Sequence, residues 1–320
     1  MGEIGAVAKF LQYISSLLAE PSLATWRARK QVEAQRILAL GEAEVAEIRE
    51  VGAARASAKA MLELAGASQS LLEQMGREID QRIESHFDKR LNNLAQIVAR
   101  AERALPPGQV PDVEPDMAWT SSFSQAAQDI SDEDMQELWA RVLAGEVEKP
   151  GSTSVMTLGV LRNLDQRTAQ LFKRLCSMAV SLSVPEGHCL DHRLVSFGGN
   201  FSGNSFQGFG IRFTDLLDLS EHGLIISELK TQSDYRVCIG LPGNLVPGRQ
   251  LPPPFMFQGQ RWVLIRDGEW DFEKEFWVPG SALTKAGREL SKVVELEPVP
   301  KYAEALKGYF AEKGLDMVQV

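Results

Sequence analysis

Cysteine and histidine are scarce in this sequence of 320 residues, which contains three cysteines and four histidines. Cys176, Cys189 and Cys238 lie far apart, which argues against the disulfide framework of a small secreted domain. The N-terminus lacks the basic segment, apolar core and small-residue cleavage site of a signal peptide. We therefore expect a cytoplasmic protein without structural disulfides.

Long apolar runs and an excess of positive charge are also missing. No segment approaches the roughly 18 to 20 apolar residues that a membrane-spanning helix needs. Acidic residues outnumber basic ones by 43 to 34, which gives a formal net charge of −9. Because binding to a phosphate backbone depends on clustered lysine and arginine, nucleic acid is a poor candidate partner.

Proline is absent between Pro21 and Pro106, and residues 22–105 are rich in Ala, Glu, Arg, Leu and Gln, which favour helices. The second half of this region carries an apolar stripe from Leu72 to Ala101 with a mean spacing of about 3.6 residues, the period of a straight amphipathic helix. We call these residues the assembly stripe: Leu72, Met75, Ile79, Ile83, Phe87, Leu91, Leu94 and Val98. A long helical or coiled-coil region is predicted, which folds back near Gly66 or Gly76 or pairs with a second copy. The chain is therefore expected to form a homo-oligomer.

Residues 1–21 contain "IGAVAKFLQYISSLL", which predicts a short amphipathic helix. Packing onto the protein or a partner subunit is one interpretation of this helix. The alternative is a peripheral membrane contact through residues 1–20, which would place the protein at the inner membrane. Lys9 is the only cation among the first 26 residues, so anionic lipid would give little electrostatic help.

The remaining sequence predicts a Pro-rich linker at 106–117, a helical motif domain at 118–182 and an α+β domain at 183–320. In the motif domain, Ser131 and Asp165 are candidate helix N-caps, and Pro150-Gly151 ends a helix. The last domain predicts a hairpin around Asp267-Gly268 and a helix capped by Thr284. The fold class expected is mixed and mainly α: a long N-terminal helical region, then an α+β domain with a winged-helix-like part.

Residues able to bind metal or act as nucleophiles come close together only in "GHCLDH", which contains His188, Cys189 and His192. The paired cysteines of a zinc knuckle are missing, so a zinc site or a hydrolase built here is a weak candidate. The Gly-rich loop at 197–210 lacks the Gly-Lys-Ser/Thr of a phosphate-binding loop. No catalytic residue and no cofactor are therefore predicted.

Three phrases, "ELWARVLAGEVEKPGS…TLGVLRNLDQRTAQLFKRLC", "LLDLSEHGLI" and "VPGSALTKAGREL", occur in that order. Over residues 118–292 they resemble an uncharacterised bacterial family, domain of unknown function 2806. That family is in turn similar to abortive-infection alpha proteins, which implies a link to defence against phage. The matching positions are Leu138, Trp139, Ala140, Leu143, Ala144, Gly145, Glu146, Pro150, Gly151, Ser152, Leu161, Leu164, Phe172, Leu219, Gly223, Leu224, Ile225, Leu283, Thr284, Gly287 and Leu290.

Together these observations favour a non-enzymatic interaction protein of bacterial defence, which self-assembles through its N-terminal helices and binds a phage or host protein. Candidate interaction residues are Trp139, Arg141, Glu146 and Pro150, which form the motif surface or support it. A winged-helix-like DNA-binding regulator and a hydrolase with a His/Cys site are the alternatives.

Overall fold

The computed structural model describes residues 69–105, 115–183, 189–198, 206–226, 231–246, 248–266, 268, 271 and 273–320. The chain divides into two compact units, Met1–Leu158 and Gly159–Val320. Several predicted features lie outside the described residues: the amphipathic helix at 1–21, the helical or coiled-coil region from 22 to 68, and most of the linker at 106–117.

The described part of the first unit is helical. Its helices are α1 (Gln69–Ala104), α2 (Met117–Ala127) and α3 (Glu133–Glu148), while α4 (Val155–Arg162) spans the division between the units. Helix α1 packs mainly against α3. Apolar side chains recur every three or four residues on both helices, so each buries one face. On α1 the buried side chains are Leu94, Ile97, Val98 and Ala101.

Helix α1 runs without interruption through Gly76, so the fold-back predicted at this glycine is wrong. One glycine inside a helix costs about 1 kcal/mol relative to alanine, which is too little to end a helix of good helix formers. The alternative turn position, Gly66, lies outside the described residues.

Aspartate side chains fix the starts of several helices. Asp165 accepts a hydrogen bond of 2.7 Å from the N–H of Thr168 and caps α5 (Gln166–Met178), as predicted. The cap of α3 is Asp132, one residue after the predicted Ser131, and it accepts a bond of 2.9 Å from Met135 N. The observed cap is therefore an aspartate and not the predicted serine. Its negative charge also suits the positive end of the helix dipole.

The second unit combines helices with one sheet. Its helices are α5, α6 (Phe213–Glu221), α7 (Lys285–Leu290) and α8 (Pro300–Ala311). The strands are β1 (Val180–Ser183), β2 (Cys189–Val195), β3 (Thr231–Asp234), β4 (Ile239–Gly240), β5 (Phe255–Phe257), β6 (Gln260–Ile265), β7 (Trp277–Ala282) and β8 (Asp316–Gln319).

All eight strands belong to one sheet in the order β3-β7-β2-β1-β5-β6-β4, and β8 also pairs with β6. The pairs are antiparallel except for β4 with β6. The expected fold class is therefore wrong: the described residues form eight α-helices and an eight-stranded, mostly antiparallel sheet, in place of a mainly α chain with a winged-helix-like part. Short, widely separated strands carry little local signal, which explains the underestimate.

The hairpin predicted at Asp267-Gly268 is also wrong, because β6 and β7 do not pair. Strand β7 instead lies between β2 and β3, where Gly280 permits a very close approach: a Cβ at this position would lie 2.1 Å from the carbonyl oxygen of Leu194. The hairpin that does form joins β5 to β6 through Gln258 and Gly259. Both residues have positive φ, 50° and 74°, as a type I′ turn requires.

Aromatic side chains fill the core under α8. The Tyr302 hydroxyl exchanges hydrogen bonds of 3.1 Å with the backbone N–H and carbonyl of Val195 on β2. Phe197 and Phe209 pack against the Tyr302 ring with centroid distances of 5.1 and 5.2 Å. Both described ends of the loop at 197–210 are therefore held by this cluster.

No helix among the described residues has the length and apolar character needed to cross a bilayer.

Candidate functional site

The segment "ELWARVLAGEVEKPGS", residues 137–152, ends in a turn that is held by one buried carboxylate. Glu146, which is 1% exposed, accepts hydrogen bonds from Gly151 N (2.5 Å), Ser152 Oγ (3.1 Å) and Thr153 N (2.9 Å). Gly151 has a φ of +81°, a conformation that favours glycine. Glu146 therefore ties the end of α3 to the turn that leads into α4.

Trp139 lies in the core of the first unit with no exposed surface. Its ring meets Phe123 edge to face at 5.3 Å, and Phe123 stacks on Trp119 at 5.1 Å. Neither indole N–H has a hydrogen-bond acceptor within the described structure. Trp139 can support an interaction surface, but it cannot itself form one in this conformation.

Arg141 and Pro150 are the predicted interaction residues that solvent reaches, and both are half-buried. Arg141 Nε lies 3.1 Å from Glu137 Oε1, and Arg100 of α1 lies 3.9 Å from Glu137 Oε2. Such partly exposed pairs contribute little stability, about 0 to 1 kcal/mol each. Trp139 and Glu146 are buried while Arg141 and Pro150 are half-buried, so the four predicted residues do not share one exposed surface.

The "GHCLDH" cluster is divided between the two faces of strand β2. His188 lies outside the described residues, and alternate side chains of β2 point to opposite faces. Cys189 is half-buried, and its Sγ lies 3.3 Å from the Asp191 carbonyl oxygen. Within the described ranges, no three His, Cys, Asp or Glu side chains are placed to hold a metal ion.

Asp191 belongs to a buried hydrogen-bond network. Arg193 binds its carboxylate through two bonds, from Nε (2.5 Å) and Nη2 (2.8 Å), while the Tyr235 hydroxyl donates to Asp191 Oδ2 at 2.8 Å. Arg193 Nη1 also donates to the carbonyls of Thr231 and Val278 at 2.8 Å each. Burial, and then the charge of Asp191, raise the pKa of Tyr235 well above its usual value. This network links β2, β3 and β7, and its groups are closed to substrate.

His192 occupies the other face of β2, and its Nδ1 lies 3.3 Å from Ser291 Oγ. Burial lowers its pKa to about 4; nearby Asp191 opposes this shift, and Arg288 and Lys292 add to it. Burial likewise raises the pKa of Cys189. A thiolate and an imidazolium are therefore both disfavoured at neutral pH, which weakens the hydrolase interpretation.

The other two phrases of the family resemblance pack directly on each other. Thr284, the predicted cap of α7, accepts a hydrogen bond of 3.1 Å from Gly287 N. Its hydroxyl donates to the Gly223 carbonyl at 2.5 Å. A Cβ on Gly287 would lie 2.1 Å from the Leu224 carbonyl oxygen. The two phrases therefore specify a close contact between the end of α6 and the start of α7.

A shallow depression of about 310 Å³ opens beside α5 on the second unit. We call it the α5 depression; it is lined by Arg167, Gln170, Leu171, Lys173, Arg174 and Glu297. Lys173 Nζ lies 2.5 Å from Glu297 Oε1, and Arg174 Nε donates to the Phe209 carbonyl at 2.6 Å. Sequence reasoning missed this site because Glu297 is far from α5 in the chain. The signal available was the presence of three cations, Arg167, Lys173 and Arg174, on one predicted helix.

Comparison with known proteins gives one match. Residues 77–235 match the family described as "Protein of unknown function (DUF2806)". This segment is therefore similar to a domain of an uncharacterised family. It includes the Glu146 turn, the Asp191 network except for its contact with Val278, and the α5 residues of the depression. The match begins earlier and ends earlier than the predicted range of 118–292. No curated protein and no solved structure matches the chain.

Proposed function

We propose that this protein is a non-enzymatic interaction protein that self-associates through the N-terminal half of α1. The observation that carries the proposal is the length of this helix, which has 36 residues and is therefore about 54 Å long, while its described buried side chains begin only at Leu94. One face of its C-terminal half is buried in the first unit, through Leu94, Ile97, Val98 and Ala101. In its N-terminal half, every side chain that the structure describes from Gln74 to Lys89 is exposed.

The sequence of the N-terminal half of α1 supports association. Leu72, Met75, Ile79, Ile83 and Phe87 of the assembly stripe recur there at the helical period, although their side chains lie outside the described residues. A helix with a continuous apolar stripe gains most of its stability by burying that stripe. A second copy of α1 offers a matching stripe of the same length.

The cellular context that we propose is bacterial defence against phage, with a phage or host protein as the ligand. The support is the resemblance over residues 118–292 to the uncharacterised family, which is in turn similar to abortive-infection alpha proteins. In this proposal, α1 assembles the protein and the remaining domains bind the ligand.

Sedimentation equilibrium of the full chain tests self-association. Wild type should form oligomers at micromolar concentration, and Ile79→Lys and Ile83→Lys should each weaken association at least about tenfold, since a buried charge replaces an apolar contact. Gln81→Lys adds the same charge at an exposed position of the same helix and should leave association unchanged. A monomeric wild type, or equal effects of all three changes, would contradict the proposal.

A phage-plaque assay tests the context separately. Bacteria expressing wild type should be protected against part of a broad phage panel, whereas Ile79→Lys should protect less. Gln81→Lys serves again as the control. Full protection by the Ile79→Lys variant would show that defence does not require self-association through α1.

A further inference from the structure

The three cations of the α5 depression differ in how they are neutralised. Arg167 Nη2 lies 3.2 Å from Asp215 and 3.4 Å from Asp218, so two carboxylates face it. Lys173 faces Glu297. Arg174 donates to a carbonyl, and no carboxylate within the described structure forms an ion pair with it. An anion entering the depression therefore meets an arginine that forms no ion pair among the described residues, although its charge also acts on the nearby Glu297 carboxylate.

Arg174 is also held in place before any ligand arrives. Its guanidinium is so close to Gly210 that a Cβ there would lie 2.7 Å from Nε. Gly210 has a φ of +82°, and it follows Phe209, whose carbonyl accepts the Nε–H. A side chain positioned in this way loses less conformational freedom when it binds a ligand.

The Glu297 side chain shows that a carboxylate can lie beside the cations of the depression. Its side chain is 68% exposed, yet it lies against Lys173, and this contact lowers the pKa of its carboxyl group. The segment that carries it is fixed by a hydrogen bond of 2.9 Å from Glu297 N to Ser177 Oγ. A carboxylate of the protein therefore occupies one edge of a cationic depression that has room for a second oxyanion.

We propose that the α5 depression binds a small oxyanionic ligand, through its phosphate or carboxylate group, with Arg174 and Lys173 as the charged contacts and Gln170 as a hydrogen-bond donor. Glu297 competes with this ligand for Lys173. The site lies wholly in the second unit, and it goes beyond the proposed self-association through α1 without depending on it.

Isothermal titration calorimetry of the full chain with inorganic phosphate, and separately with citrate, tests the site; sodium chloride at matched ionic strength is the reference. Glu297→Gln should tighten binding about threefold, because the competing charge is removed. Gln170→Glu should weaken it at least about fivefold by repulsion. Gln232→Glu adds the same charge on the exposed edge strand β3 and should leave binding unchanged.

Saturable binding of phosphate or citrate above the chloride reference, with this order of the variants, supports the site. Tighter binding of phosphate would identify a phosphate ligand, and tighter binding of citrate a carboxylate ligand. Absence of binding by wild type and Glu297→Gln alike would overturn the proposal. So would equal weakening by Gln170→Glu and Gln232→Glu, because the effect would then follow net charge and not the depression.

Discussion

At the scale of single residues, Glu146 has the clearest structural role in the family motif. Replacing it by glutamine keeps the size of the side chain but points an amide group at N–H and O–H donors. Hydrogen bonds to a charged group are worth about 1.5 to 3 kcal/mol, so Glu146→Gln should lower the free energy of unfolding by about 2 to 3 kcal/mol. Urea denaturation measures this change.

Glu148→Gln is the matched control, because Glu148 is exposed two residues further along the same helix. It should change the free energy of unfolding by less than about 0.5 kcal/mol. Equal effects of the two substitutions would show that the three hydrogen bonds to Glu146 contribute no special stability.

Single residues were predictable where the physics is local. The caps Asp165 and Thr284 follow from a short polar side chain just before an apolar period, and both predictions are confirmed. Asp191 was grouped with its sequence neighbours, although alternation along a strand separates it from His192. Its partner Tyr235 is 44 residues away, and no local pattern connects them.

At the scale of secondary-structure elements, the contact between the end of α6 and α7 depends on the absence of a side chain at Gly287. Gly287→Ala would place a methyl group 2.1 Å from a backbone oxygen, so the two elements must separate. Overpacking of this kind costs about 1 to 3 kcal/mol. We therefore expect Gly287→Ala to lower the free energy of unfolding by at least about 1 kcal/mol, as measured by thermal or urea unfolding.

For Gly308→Ala in α8 we expect the opposite effect on the free energy of unfolding. Nothing lies within 4 Å of a Cβ at this position. Because alanine is the better helix former, this substitution should stabilise the protein by up to about 1 kcal/mol. If Gly287→Ala were equally harmless, the close approach would not constrain the fold.

Elements were predicted well where an apolar period is long, as in α1 and α3. They were missed where a strand is short: β4 has two residues and β5 has three. The Asp267-Gly268 dipeptide was a misleading signal, whereas Gln258-Gly259, a weaker one, forms the turn. Strand pairing was decided by the fit of Gly280 against β2, which is a tertiary contact.

At the scale of the whole molecule, acid stability should depend on His192. Its pKa is 6.5 in the unfolded chain and about 4 in the folded protein. Between these values the unfolded chain holds the proton and the folded protein does not. The contribution of His192 is therefore complete above pH 6.5, and it is lost as pH falls towards 4.

Urea unfolding of wild type and His192→Gln at pH 7.5, 6, 5 and 4 measures this effect. Relative to the variant, wild type should lose up to about 3 kcal/mol across the window. His222→Gln is the control, since it removes a histidine elsewhere in the same unit. Parallel curves for wild type and His192→Gln would contradict the assignment.

The architecture of the whole molecule was the least predictable level. Composition and periodicity indicated the helices but gave no reason to expect one sheet that collects all eight strands. The sheet joins segments such as β2 and β7, which are far apart in the sequence, and their pairing depends on complementary shape. The α5 depression could not be predicted from the sequence for the same reason, because Glu297 lies far from α5 in the chain.

The position of β7 between β2 and β3 also matters during synthesis on the ribosome. Both neighbours are synthesised before residues 277–282. Until then, β2 and β3 each lack a hydrogen-bonding partner on the side that β7 will fill. Open strand edges of this kind pair readily with other chains. A nascent chain of this protein should therefore need chaperone protection over that interval, and slow translation just before Trp277 would lengthen it.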